Sequence, residues 1–172
     1  MHEVCCEFRT VPCPRTNCQE NVLFKDLDLH IQQNHKIKEK KSSIISPYLK
    51  KKSLCAWNGD WTLYYHQRIG LQFYPQFVKR NGVWYFWLKI KESPIEAAKW
   101  KFQVKLKSVK NQMSVEFSGL VHPVDKTVEE ILKTGQYLLL DRQLVKKMKE
   151  KLQTEVKGCS SFIFIPFELS RI

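Results

Sequence analysis

Two cysteines and two histidines near the start of this 172-residue chain, Cys13-x4-Cys18-x11-His30-x4-His35, restrict its fold more than any other feature. Two thiolates on a short β-turn and two imidazoles on one short helix can close a tetrahedron around Zn²⁺, leaving no position for water; the site they predict is structural. The stretch from Phe24 to Asn34 supplies the helix, with Leu27 and Ile31 on one face over a very small core. Residues five apart on an ideal helix sit about 140° beyond a full turn, so His30 and His35 converge only if the last turn loosens. The alternative, Cys and His scattered through a small polar segment, leaves that segment without enough buried apolar surface to stay folded, whereas a metal supplies the missing free energy.

Other cysteines and histidines carry weaker signals. His2 and Cys6 lie four apart, as the second half of a preceding finger would, although residues 1–6 read equally well as an unstructured terminus. Cys55 and Cys159 read as small packing residues. His66 and His122 have no nucleophile or carboxylate partner nearby in sequence and read as surface or satisfied core histidines. Six cysteines allow three disulfides in a secreted protein, but two have histidines at metal-ligand spacing and four show no framework. We therefore expect thiols and a metal in a reducing, cytoplasmic setting, with a nuclear one as the alternative. No run approaches the roughly 18 to 20 apolar residues of a membrane span. The longest are Val83 to Leu88 and Phe162 to Phe167, and the N-terminus lacks an apolar signal region.

Beyond Trp61 the pattern has period two. Phe102, Val104 and Leu106 alternate with Lys101, Gln103, Lys105 and Lys107, and Met113, Val115 and Phe117 alternate with Ser114, Glu116 and Ser118. Each is a half-buried strand, and the turn at 109–112 joins them as a hairpin. After Arg80-Asn81-Gly82, the stretch Val83 to Lys91 places Trp84, Phe86, Leu88 and Ile90 on one face and Tyr85 and Trp87 on the other, as in a strand covered on both sides for part of its length. Phe162 to Ile165 is apolar throughout and reads as a central strand. Two helices interrupt the strands. One lies near Lys126 to Lys133, with Thr127 and Glu130 at capping-box spacing and Gly135 as its stop. The other follows Asp141, with a narrow stripe of Leu144, Met148 and Leu152. The expected fold is mainly β: a small ββα finger at 1–36, a Lys-rich linker at 37–52, and a β-sandwich with short helices at 53–172.

The net charge of +12 is unevenly spread. Residues 1–35 carry −2, residues 36–52 carry +6, and the remainder carries +8. The finger is thus the one part that is not basic, and Asp26 and Asp28 stand near its helix start where a DNA-reading finger presents base-contacting groups. This counts against nucleic-acid binding, which the Lys clusters otherwise favour.

The stretch CEFRTVPCPRTNCQENVLFKDLDLHIQQNH resembles a TRAF-type zinc finger, including the linker that follows a preceding finger's last cysteine, here Cys6. Downstream, GVWYFWLKIKESPIEAAKWKFQVKL and EFSGLVHPVDKTVEEILKTGQYLLL resemble the TRAF-like (MATH) domain. The resemblance covers nearly the whole chain. It implies an eight-stranded antiparallel TRAF-like β-sandwich that captures extended peptides of receptors or substrates, in adaptors or in ubiquitin ligases whose RING lies elsewhere. The trimerising coiled coil of receptor-binding members is missing, and their Ser tract and Arg-x-Tyr pair have no match; only the zinc ligands Cys13, Cys18, His30 and His35 carry over.

The expected function is protein–protein interaction, with protein or peptide ligands as partners and one structural Zn²⁺ as cofactor. A nucleic-acid-binding zinc-finger protein is the alternative. The sequence has no Gly-rich phosphate loop and no Ser/His/Asp or Cys/His arrangement in a recognisable context, so an enzyme is not expected.

Overall fold

The computed structural model describes residues 6–15, 18–37, 39–42, 48–50, 59–60, 64–66, 69–107, 114–141, 143–144, 162–164 and 167–172. His2, Cys55, Cys159, the turn expected at 109–112 and the body of the helix expected after Asp141 lie outside them. Along the chain the elements are β1 (Thr10–Pro12), β2 (Asn21–Leu23), α1 (Leu27–His35), β3 (Lys40–Ser42), β4 (Tyr48–Lys50), β5 (Gly59–Asp60), β6 (Tyr64–His66), β7 (Leu71–Arg80), β8 (Val83–Ile90), α2 (Pro94–Ala97), β9 (Trp100–Lys107), β10 (Ser114–Leu120), β11 (His122–Pro123), α3 (Val128–Thr134), β12 (Leu138–Leu140), β13 (Phe162–Phe164) and β14 (Phe167–Arg171). The molecule is mainly β, in several sheets.

The longest hairpin, β7–β8, turns at Asn81 (φ 51°) and Gly82 (φ 78°). Positive φ at both central residues is the two-residue turn whose twist matches that of its strands, and Asn-Gly is its preferred pair. Around this hairpin forms a seven-stranded sheet of order β11-β8-β7-β6-β3, with β12 also on β8 and β5 also on β7. Pro75 lies between the stretch of β7 paired to β6 and the stretch paired to β5. A residue without an N–H is tolerated at such a gap in the ladder. A second sheet, β10-β9-β14, is antiparallel throughout.

Strand alternation points Phe73, Phe77, Trp84, Phe86, Leu88 and Ile90 from the first sheet and Phe102 and Val104 from the second into one shared core. Phe86 and Phe102 meet edge to face, their centroids 5.9 Å apart. Gly119, opposite Phe102 in the β9–β10 register, leaves room that a Cβ would take from the Phe117 ring 2.7 Å away.

The far side of the β7–β8 hairpin is also covered, by different elements at its two ends. Val78 and Trp87 pack against Ile131 of α3. That helix begins at the capping box of Thr127 and Glu130 and stops at Gly135 (φ 68°), as its spacing predicts. At the other end Tyr74 packs with Val11, Leu27, Ile31 and Val124, so the ββα unit rests on the outer face of the sheet. This explains why Trp87 is fully buried although it lies on the strand face opposite the main core.

Two short strands fall in the Lys-rich 37–52 stretch: β3 pairs parallel with β6, and β4 pairs antiparallel with β13. Three-residue strands of this kind draw on backbone hydrogen bonds and need no apolar periodicity, so Lys-rich composition does not reveal them. Phe162–Phe164, expected to be central, has β4 as its only partner among the described residues. Among the described residues no helix is long and apolar enough to cross a membrane.

His122 is a satisfied core histidine: it is 3% exposed, and its Nε2 lies 2.9 Å from the carbonyl oxygen of Gln136. Burial lowers its pKa to about 4. The folded state therefore holds it neutral, and the stability this contributes is complete above pH 6.5 and lost as pH falls toward 4. The loss amounts to about 3 kcal/mol. Urea unfolding of the native chain and of His122→Gln should diverge in pH dependence across this window, the variant giving the shallower curve; parallel curves would refute the assignment.

Candidate metal centre

Each of the four predicted ligands is delivered by a separate local device. The β1–β2 ladder is extended by the backbone N–H of Cys13, which donates to Glu20 O at 2.9 Å. This places Cys13 at one side of the loop between the strands. Cys18 is positioned by its own N–H, which donates to Arg15 O at 3.0 Å. His30 lies on the buried stripe of α1, with Leu27 and Ile31. His35 ends the helix, and there the backbone changes: Lys36 is left-handed (φ 54°) and its N–H reaches back to Ile31 O, as does that of Ile37 at 3.4 Å. Bonds spanning five and six residues widen the last turn, which is the loosening that the His30–His35 spacing requires.

The structure brings all four sequence-predicted ligands together, with Sγ and ring-nitrogen atoms within 4.8 Å of one another. Cys13 Sγ lies 3.3 Å from His35 Nε2, Cys18 Sγ lies 3.6 Å from His30 Nε2, and the two Nε2 atoms are 3.1 Å apart. Bond lengths of about 2.3 Å to sulfur and about 2.0 to 2.1 Å to nitrogen in a tetrahedral zinc site imply S···N edges near ~3.6 Å and an N···N edge near ~3.3 Å. The donor set therefore fits one tetrahedral ion. Cys13 and His30 are buried and Cys18 and His35 half-buried, so the site is closed by protein.

The surroundings suit ligation. Burial, followed by the positive charge of Arg15 and the neighbouring His30, lowers the pKa of His35 and favours the neutral imidazole that a metal needs. Glu20 Oε2 lies 3.6 Å from His30 Nδ1, and the side-chain amide of Asn34 lies 3.1 Å from the same atom. With Nε2 facing the metal, Nδ1 carries the proton and faces the Glu20 carboxylate, the acceptor of the two neighbours.

Sequence reasoning missed a set of residues outside the ligand shell. Asp28, in the first turn of α1, accepts from Tyr74 Oη at 2.6 Å and from Lys91 Nζ at 2.6 Å. Gln76 donates from Nε2 to Pro14 O and accepts from Trp87 Nε1 at 2.8 Å. Arg9 stacks on Phe24 at 3.7 Å, donates from Nη1 to Cys6 O at 3.2 Å, and lies 4.0 Å from Asp125. The available signal was parity: Tyr74 and Gln76 are polar-capable residues on the opposite face of a strand whose Phe73 and Phe77 point to the core. What covers that face is not encoded locally.

A separate cavity of about 550 Å³ lies beside β11, lined in part by Leu120, His122, Asp125, Lys126 and Gln136. Its histidine is committed to the Gln136 carbonyl, and its described lining residues include no serine or cysteine. No protein-family model matches the chain, and no curated protein matches it significantly.

One tetrahedral metal ion per chain should be retained through purification and lost in Cys13→Ser/Cys18→Ser. Cobalt substitution of the native chain should give the intense visible absorption of a tetrahedral thiolate site; an octahedral cobalt spectrum would contradict the geometry.

Proposed function

We propose that this chain is a recognition module of the kind its residues resemble: a zinc-stapled TRAF-type finger fused to a TRAF-like β-sandwich that captures an extended segment of a partner protein. Two thiolates and two imidazoles in a closed tetrahedron are the donor set of structural zinc rather than of a hard cation. In this reading zinc builds the scaffold and takes no part in chemistry, and the chain serves as the substrate- or receptor-recognition part of an adaptor or a RING-type ubiquitin ligase.

The observation that carries the proposal is the state of β10. Among the described residues this seven-residue strand pairs with β9 alone. Its exposed row includes Glu116 and Ser118, which suits a wetted edge. An extended peptide can add to such an edge, backbone hydrogen bonds giving affinity and alternate side-chain positions giving selectivity. The nucleic-acid alternative loses ground because Asp28, in the acidic first turn of α1, is engaged by Tyr74 of β7 and by Lys91 just past β8.

A peptide array probed with the whole zinc-loaded chain should yield protein segments that bind, and backbone amide shifts on binding should concentrate in Ser114–Leu120. Shifts confined to other strands would move the site, and an array without binders would remove the proposal.

A further inference from the structure

We infer that the sheet pair is a working part of the metal centre: Gln76 and Tyr74, on the outer face of β7, hold the Cys13 loop and α1 in the ligating arrangement, so that zinc retention and docking of the ββα unit form one linked equilibrium. The inference rests on zinc as the resident ion and is independent of any peptide ligand.

Two buried anchors meet the ββα unit close to its ligands. Gln76 is 1% exposed, and its amide is used at both ends, donating to the carbonyl of Pro14 and accepting from the indole of Trp87 at 2.8 Å. Pro14 directly follows Cys13 and is itself buried. The second anchor is Asp28, two residues before His30, which accepts from Tyr74 and Lys91 at 2.6 Å each. These residues lie far apart in sequence, by 62 positions for Gln76 and Pro14 and by 46 for Tyr74 and Asp28. Between the anchors, Val11, Leu27 and Ile31 pack with Tyr74 and Val124.

The ββα unit alone would have to order both the loop around its cysteines and the widened end of α1 at the moment of ligation. Docked, it finds both already ordered, and preorganisation of this kind lowers the cost of binding. Linkage makes the effect reciprocal: the factor by which docking tightens zinc is the factor by which zinc tightens docking. Zinc removal should therefore uncover Tyr74, Gln76 and the indole of Trp87, while the main core, built from the opposite strand faces, persists.

The test uses the full zinc-loaded chain and an excess of a chromogenic chelator to time zinc release, alongside melting of the zinc-free chains. Gln76→Leu should release zinc about tenfold faster or more, as loss of outer-shell partners does elsewhere. Tyr74→Phe should also accelerate release, and the zinc-free melting temperatures should match that of the unaltered chain. Because Tyr74→Phe removes a single hydroxyl, it carries the test if Gln76→Leu does not fold. In the unaltered chain, chelation should speed hydrogen exchange of the Trp87 indole. Unchanged release rates, unchanged indole exchange, faster release matched by an equal loss of stability in the zinc-free chain, or a purified chain without zinc would each overturn the inference.

Discussion

The amide of Gln76 joins the two parts of this molecule at their most sensitive point. A buried side-chain amide must satisfy both its donors and its acceptor, and an unmet one costs about 1 to 3 kcal/mol. Here one end holds the indole of Trp87, deep in the sheet, and the other holds the carbonyl of Pro14, next to Cys13 of the candidate metal centre. With the ββα unit seated, Gln76 is only 1% exposed, so protein groups take the places that water would otherwise fill. The Asp28 carboxylate imposes the same condition from the helix side, since Tyr74 and Lys91 are its partners. These contacts decide that a unit too small to bury its own core becomes a lid with a fixed orientation.

From this seating the remaining architecture follows. β7 and β8 are covered on both faces: the inner by the second sheet, the outer by the ββα unit and α3. A strand pair covered twice is apolar on both sides, which is why VWYFWLKI contains hardly a polar position. Lys89, on the outer face and only 3% exposed, directs its ammonium to Val124 O at 3.2 Å. Its burial shows how completely that face is closed.

Much of this was legible in the sequence because it rests on local rules. Ligand spacing named all four residues that converge, the capping box at Thr127 and Glu130 located α3, and Asn81-Gly82 located the hairpin turn. Period-two alternation likewise separated the core face of β9 from its solvent face. What escaped was non-local. Nothing about Gln76 taken alone says that a carbonyl 62 positions earlier will be its acceptor. A Lys-rich stretch gives no sign that three of its residues will pair with β6, because the partner supplies the reason.

The double duty of β7 also constrains how relatives of this protein could diverge. An ordinary outward-facing strand position drifts freely, whereas Tyr74 answers to Asp28 and Gln76 answers to both Trp87 and the backbone beside Cys13. A lineage that discarded the metal would free Asp28 and leave Gln76 with half a partner. In such a lineage the outer face of β7 would be expected to turn polar, so that the loss of one small module would be written as a change of character along a strand in the other.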